Sequence, residues 1–214
     1  MRADRRSCHN LMPRKKRVWY EGACFHVMGR GNHKGNIFRE EEDYRMFMFL
    51  LEQVRRKYSF TLHAFCLMTN HFHLQITTGS DPIWLIMQPL MTQYARFFNR
   101  KYNLAGHLFD SIYTSCIIED QGYFLEVSRY IHLNPVKAAM VREPLLYNYS
   151  SYQNYIGKTA RPFYTWVDTG KVLEAFLDGS RDRYRNFVEG RISHAEQELL
   201  IQKDMKEDEL WLPV

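Results

Sequence analysis

In the run MTNHFHLQI, residues 68–76, two histidines stand one residue apart. If the run is a strand, successive side chains alternate, so His71 and His73 share one face and Phe72 and Leu74 the other. Two imidazoles on one face can share a metal ion. The same pattern also suits half-buried, hydrogen-bonded histidines, so the pair needs partners. A second group lies in RYIHLNP, residues 129–135. On a helix Tyr130 and Asn134, four residues apart, project together, whereas His132 points about 160° from Tyr130. Tyr130 can then approach a metal that Asn134 helps to hold, although a helical tyrosine is more often plain packing. Cys66 opens a rival zinc chemistry: with a tight hairpin through Thr69 and Asn70 it faces His73 across the ladder. A buried, inert cysteine is the ordinary alternative.

These residues need rigid elements to hold them. Residues 23–29 read as a strand followed by the Gly29-Arg30-Gly31-Asn32 loop, which either brings backbone amides near a phosphate or is a plain glycine turn. From Glu40 to about Tyr58 the apolar positions Tyr44, Phe47, Leu51, Val54 and Tyr58 recur at helical spacing behind an acidic first turn. Residues 60–67 and 71–77 form a hairpin. Asp81 is expected to cap a helix with Pro82 at its first position, running to about Tyr102 and kinked at Pro89. Residues 114–119 supply a fourth strand, and a helix from Asp120 should end where Asn134 meets Pro135. The order is the ferredoxin-like βαββαβ pattern of an α+β antiparallel sheet with helices on one face, followed by a helix and a helical extension near 169–177 and beyond 181. The third strand is then internal, which sets the two histidines centrally.

Composition bounds the rest. The chain has 214 residues, 45% hydrophobic and 25% charged, and a net charge of +5. That describes one domain with extensions: a basic arm at 1–17, a main domain at 18–157 and a helical extension at 158–214. No stretch is long and apolar enough for a membrane span, and the basic N-terminus lacks a signal-like apolar run, so a cytoplasmic location is expected. Cys8, Cys24, Cys66 and Cys116 form no CxxC pair, which argues for reduced thiols rather than a disulfide framework. Residues 1–17 carry seven cations, among them Arg14, Lys15, Lys16 and Arg17, against Asp4, a balance of +6. Such an arm attracts nucleic acid or is a solvated leader. In MTQYARFFNRKYN, Arg96 and Arg100 share a helix face suited to phosphates, while Tyr94, Phe97 and Phe98 lie on a face more suited to core than to base stacking.

MPRKKR, FHVMGRGNHKGNIF, HAFCLMTNHFHLQI, GHLF, and SRYIHLNPVKAAMV followed by SSY resemble the REP-associated tyrosine transposases, relatives of the small single-tyrosine transposases of the HUH endonuclease class. The resemblance extends from about Met12 to about Arg191. It implies a metal-dependent enzyme that cuts and rejoins single-stranded DNA near a palindromic hairpin through a 5'-phosphotyrosine. Tyr130 matches the nucleophile, His71 and His73 the metal-binding pair, and Asn134 a third ligand, with Mg²⁺ or Mn²⁺ as the ion. The partner implied is hairpin-bearing single-stranded DNA, with no membrane, and the protein a monomer or homodimer. Arg14, Lys15, Lys16, Arg17, Arg30, Arg96 and Arg100 are the expected DNA contacts. The chemistry is coherent: a phenol of pKa about 10 is ionised to about one part in a thousand at neutral pH, a cost of roughly 4 kcal/mol that a divalent ion on the phosphate partly offsets. Two departures stand out. Asp110-Ser111-Ile112-Tyr113 occupies a stretch that is commonly basic, and Pro89 interrupts a helix. They leave the chemical residues intact but bear on DNA affinity and hairpin recognition; the alternative function is a hairpin-binding protein that keeps the fold and little chemistry, and a zinc-stabilised RNA-binding module is more distant.

Overall fold

The computed structural model describes residues 18–157 and 164–190. Strands β1 (Cys24–Arg30), β2 (Phe60–Leu67), β3 (His71–Thr78) and β4 (Thr114–Ile118) form one sheet in the order β2-β3-β1-β4, with every neighbouring pair antiparallel. Helix α1 (Glu41–Lys57) joins β1 to β2, and α2 (Ile83–Lys101) joins β3 to β4. This is the expected ferredoxin-like arrangement, and β3 is internal. Helix α3 (Gln121–Lys137) follows β4, and short helices α4 (Tyr152–Tyr155), α5 (Gly170–Leu173) and α6 (Arg181–Glu189) complete the described chain. No helix among the described residues is long and apolar enough to cross a membrane.

Strand alternation divides the molecule into two cores. Phe25, Val27, Leu62, Phe72, Leu74 and Ile76 face α1 and α2, meeting Phe47, Leu51, Leu90 and Tyr94. The opposite face of the sheet carries Cys24, Ala64 and Cys66 against Phe124, Val127 and Ile131 of α3, with Tyr152, Tyr155, Val172 and Tyr184 closing around them. The extension therefore shares a core with α3. The outer edge of β2 is covered as well: Leu67 N–H donates to Tyr149 O, Ser151 N–H to Phe65 O and Asp168 N–H to Leu62 O. Cys24, Cys66 and Cys116 are buried and form no disulfide.

Helix α1 begins with a reciprocal cap between Glu40 and Asp43. Asp43 is fully buried yet accepts from Lys101 Nζ at 2.7 Å and Tyr102 Oη at 2.8 Å. Burial pushes its carboxyl up, but Lys101 and the hydrogen-bond donors outweigh burial and hold it below its ordinary value. Two sequence expectations change. Pro82, not Asp81, is the N-cap of α2, because the Asp81 carboxylate is taken by Ser59 N–H at 2.7 Å. Helix α2 runs through Pro89 to Lys101, as expected, with Ile86, Met87, Leu90 and Met91 on either side of the proline packed in the core. Helix α3 likewise runs past Pro135 to Lys137, because Val127, Ile131 and Pro135 itself are buried against the layer beneath. In each case packing outweighs the local penalty of a proline.

Candidate active site

The face of the sheet beneath α3 carries a row of polar side chains. On β3 they are His71, His73, Gln75 and Thr77; on β1, His26 and Arg30. Register sets Arg30 opposite His71 and Cys66 opposite His73. A bulge between Leu62 and Ala64 adds His63, whose Nε2 lies 2.8 Å from Thr77 Oγ1. The hairpin turn before His71 is clamped from outside: Ile37 and Phe38 N–H both donate to Thr69 O, and Gly31 N–H donates to Asn70 O. Gly31 is required there, since a Cβ would fall 2.0 Å from the Gly35 carbonyl oxygen. With the Gly31 amide spent on Asn70 and the Asn32 amide on Leu108 O, the loop is a structural turn and not a phosphate cradle.

Tyr130 descends from α3 onto this row. Its ring stands perpendicular to that of His73 with centroids 5.4 Å apart, and edge-on to His26 at 5.8 Å. His71 and His73 are themselves perpendicular at 5.0 Å. His71 Nδ1 lies 2.7 Å from Asn70 Oδ1, and His71 also hydrogen-bonds the Asn134 side chain. Asn134 in turn donates to the Tyr130 carbonyl at 3.2 Å. Thus His71, His73, Tyr130 and Asn134, chosen from two separate stretches of sequence, converge. His132 goes elsewhere: it is fully buried, with Tyr184 Oη 2.7 Å from Nδ1 and Ser151 Oγ 2.8 Å from Nε2.

Two members of the cluster were not foreseen. His26 Nε2 lies 3.0 Å from His73 Nδ1, both groups buried. Alternation along β1 groups His26 with Cys24 and Met28, but only the β1–β3 register shows which face that is. Lys137 Nζ sits 4.7 Å from the Tyr130 ring centroid. Its i+7 spacing from Tyr130 was a usable signal, hidden because Pro135 reads as a helix end.

Electrostatically the imidazoles are neutral at pH 7. Burial lowers His26 to about 4 and also lowers His71; His73 falls well below its ordinary value through burial and then through His26, His71 and Lys137 nearby. Neutral imidazole is the form that binds metal. Cys66 is different: burial pushes its thiol far up, and its hydrogen bonds to Met68 Sδ at 3.6 Å, which suits an inert thiol. Among the described residues no three His, Cys, Asp or Glu side chains gather as a metal site.

The expected DNA contacts divide by location. Arg30 borders His71, and its Nε donates to Asp110 Oδ2 at 2.8 Å, so the acidic departure in that stretch has a specific partner. Arg96 and Arg100 are exposed on α2, in the layer on the other side of the sheet from Tyr130. Tyr94 and Phe98 beside them are core residues. Arg14, Lys15, Lys16 and Arg17 lie outside the described residues.

The family described as transposase IS200-like matches residues 20–134, a span that includes both histidines, Tyr130 and Asn134. Among solved structures, a REP-associated tyrosine transposase bound to a REP hairpin is similar over 74% of this chain and 93% of its own, at 17% identity and a TM-score of 0.57. A candidate transposase from Deinococcus radiodurans R1 covers 56% of this chain and 95% of its own, at 16% identity and a TM-score of 0.38. No curated protein matches.

Proposed function

The chain belongs to the IS200-like transposase family, and on that premise we propose that it cuts and rejoins single-stranded DNA beside a hairpin through a phosphotyrosine formed on Tyr130. The observation that carries this reading is the meeting of Tyr130 with the His71–His73 face. The similar transposase of the same fold holds a REP hairpin, and a palindromic repeat of that kind is the substrate class proposed for this chain.

The Tyr130 hydroxyl is the nucleophile. As its Oη–P bond forms, the P–O3' bond breaks, the phenolic proton is lost and the departing 3'-oxygen takes one up. A phosphodiester remains, so a 3'-hydroxyl can reverse the attack or another strand can replace the first. Lys137 sets a positive charge beside the Tyr130 ring, where it favours the developing phenolate and the incoming phosphate. Helix α3 fixes Tyr130 through His132, whose two ring nitrogens are both engaged.

The donors fit a divalent ion. His73 directs Nδ1 at His26, which leaves its Nε2 for a ligand; His71 commits Nδ1 to Asn70 and meets the Asn134 amide, so a bound ion would take the place of that His71–Asn134 contact. Two imidazoles and an amide oxygen suit Mn²⁺ or Mg²⁺ with positions left for phosphate oxygens and water. When bound, such an ion would supply Lewis-acid polarisation of the scissile phosphate.

The test is a denaturing gel with end-labelled single strands carrying a hairpin. A covalent adduct on the 5' side of the break is expected, absent in Tyr130→Phe. An adduct that survives this substitution removes Tyr130 from the role. Hairpin binding without any adduct would favour the binding-protein reading.

A further inference from the structure

His26 is a buried imidazole that touches the site without reaching its open side. It is 1% exposed and His73 is 2% exposed, with Nε2 of the first 3.0 Å from Nδ1 of the second. The rings are stacked, 24° from parallel with centroids 5.1 Å apart, so the pair is fixed in orientation as well as distance. At 3.0 Å between two ring nitrogens, one must carry the proton and the other must accept it. If His73 offers its Nε2 lone pair outward, its Nδ1 is protonated and needs an acceptor. His26 Nε2 fills that role, which a carboxylate or carbonyl usually fills behind a metal-binding histidine. The remaining nitrogen of His26, Nδ1, is buried without a hydrogen-bond partner. Nothing there fixes the His26 tautomer, so His26 can accept from His73 or donate to it. No carboxylate locks the pair.

We propose that His26 is the positioning residue of His73: it sets the ring orientation and accepts the Nδ1 proton that frees Nε2 for a divalent ion. The inference rests on the metal-dependent reading above. It assigns His26 no contact with DNA or with the reacting phosphorus.

Three variants separate the roles. His26→Gln places an amide near the Nε2 position and can still accept; His26→Leu fills the space without an acceptor; His26→Asn stays polar but ends one carbon short. Two readouts apply to the whole purified chain. Mn²⁺ affinity is measured by the loss of the free-ion paramagnetic resonance signal, and the His73 tautomer by long-range ¹H–¹⁵N NMR with and without Mg²⁺. The expected result is Mn²⁺ affinity reduced about 10- to 100-fold in His26→Leu, the range for loss of a group behind a ligand, and near wild type in His26→Gln. His73 should show a single Nδ1–H tautomer with Mg²⁺ in the wild type and in His26→Gln, but mixed tautomers in His26→Leu. Should His26→Leu fail to fold by circular dichroism, His26→Asn is expected to show the same loss. Wild-type affinity and tautomer in the folded Leu or Asn variant overturn the inference and leave the metal reading standing. Absence of Mn²⁺ binding by the wild-type protein overturns both.

Discussion

Among single residues, His132 and Asn134 show how position overrides chemical type. An imidazole is the better donor for many metals, yet His132 is sealed between Tyr184 and Ser151 while Asn134 reaches His71. The two alanine variants should therefore fail differently. His132→Ala breaks two buried hydrogen bonds and leaves a cavity, so a loss on the order of 3 kcal/mol in urea unfolding is expected, with the metal concentration for half-maximal cleavage unchanged. Asn134→Ala should cost about 1–2 kcal/mol, since it loses the bond to the Tyr130 carbonyl and the one with His71, and should raise the metal requirement. Titrating cleavage rate against Mn²⁺ for both variants decides the matter. A raised requirement in His132→Ala alone would return the ligand role to that residue.

Elements carry the site through a turn and a helix, and one substitution probes each claim of rigidity. Gly31→Ala would drive a methyl against the Gly35 carbonyl oxygen, so the 31–38 loop must shift and the clamp on Thr69 and Asn70 loosens. The expected cost is about 1–3 kcal/mol, as for other overpacked sites, with a displaced His71 resonance in NMR. An unperturbed His71 would mean that the clamp does not position it. Much of this architecture was legible in the sequence. Strand alternation placed His71 and His73 together, the helical period joined Tyr130 to Asn134, and the hairpin length gave the Cys66–His73 register. What escaped has a common origin. Pro135 reads locally as a stop, but buried neighbours hold α3 through it, and the misread end of α3 concealed Lys137. His26 required the pairing of strands 47 residues apart in the chain, which local pattern cannot supply.

Taken whole, the molecule buries neutral histidines on the α3 side of the sheet, and this makes its stability depend on acid. Burial lowers His63 to about 4, against the opposing pull of Asp168, and lowers His132 to about 3. Unfolded histidine titrates near 6.5, so below that pH the unfolded chain takes up protons that the folded one refuses. Stability is thus full above about pH 6.5 and declines as pH falls toward 4, by about 1.4 kcal/mol per pH unit for each such histidine. Urea midpoints should be level from pH 7.5 to about 6.5 and fall from there to pH 5; a profile flat throughout would mean that these rings already carry protons in the fold. The same burial has a consequence in time. Tyr184 reaches back to His132 from 52 residues downstream. At about 5–20 residues per second of synthesis, that anchor follows the histidine roughly 3–10 s later. A nascent chain accordingly presents its histidine face and Tyr130 before α3 is anchored by Tyr184, so the arrangement proposed for strand cleavage is complete only after residue 184 has been added.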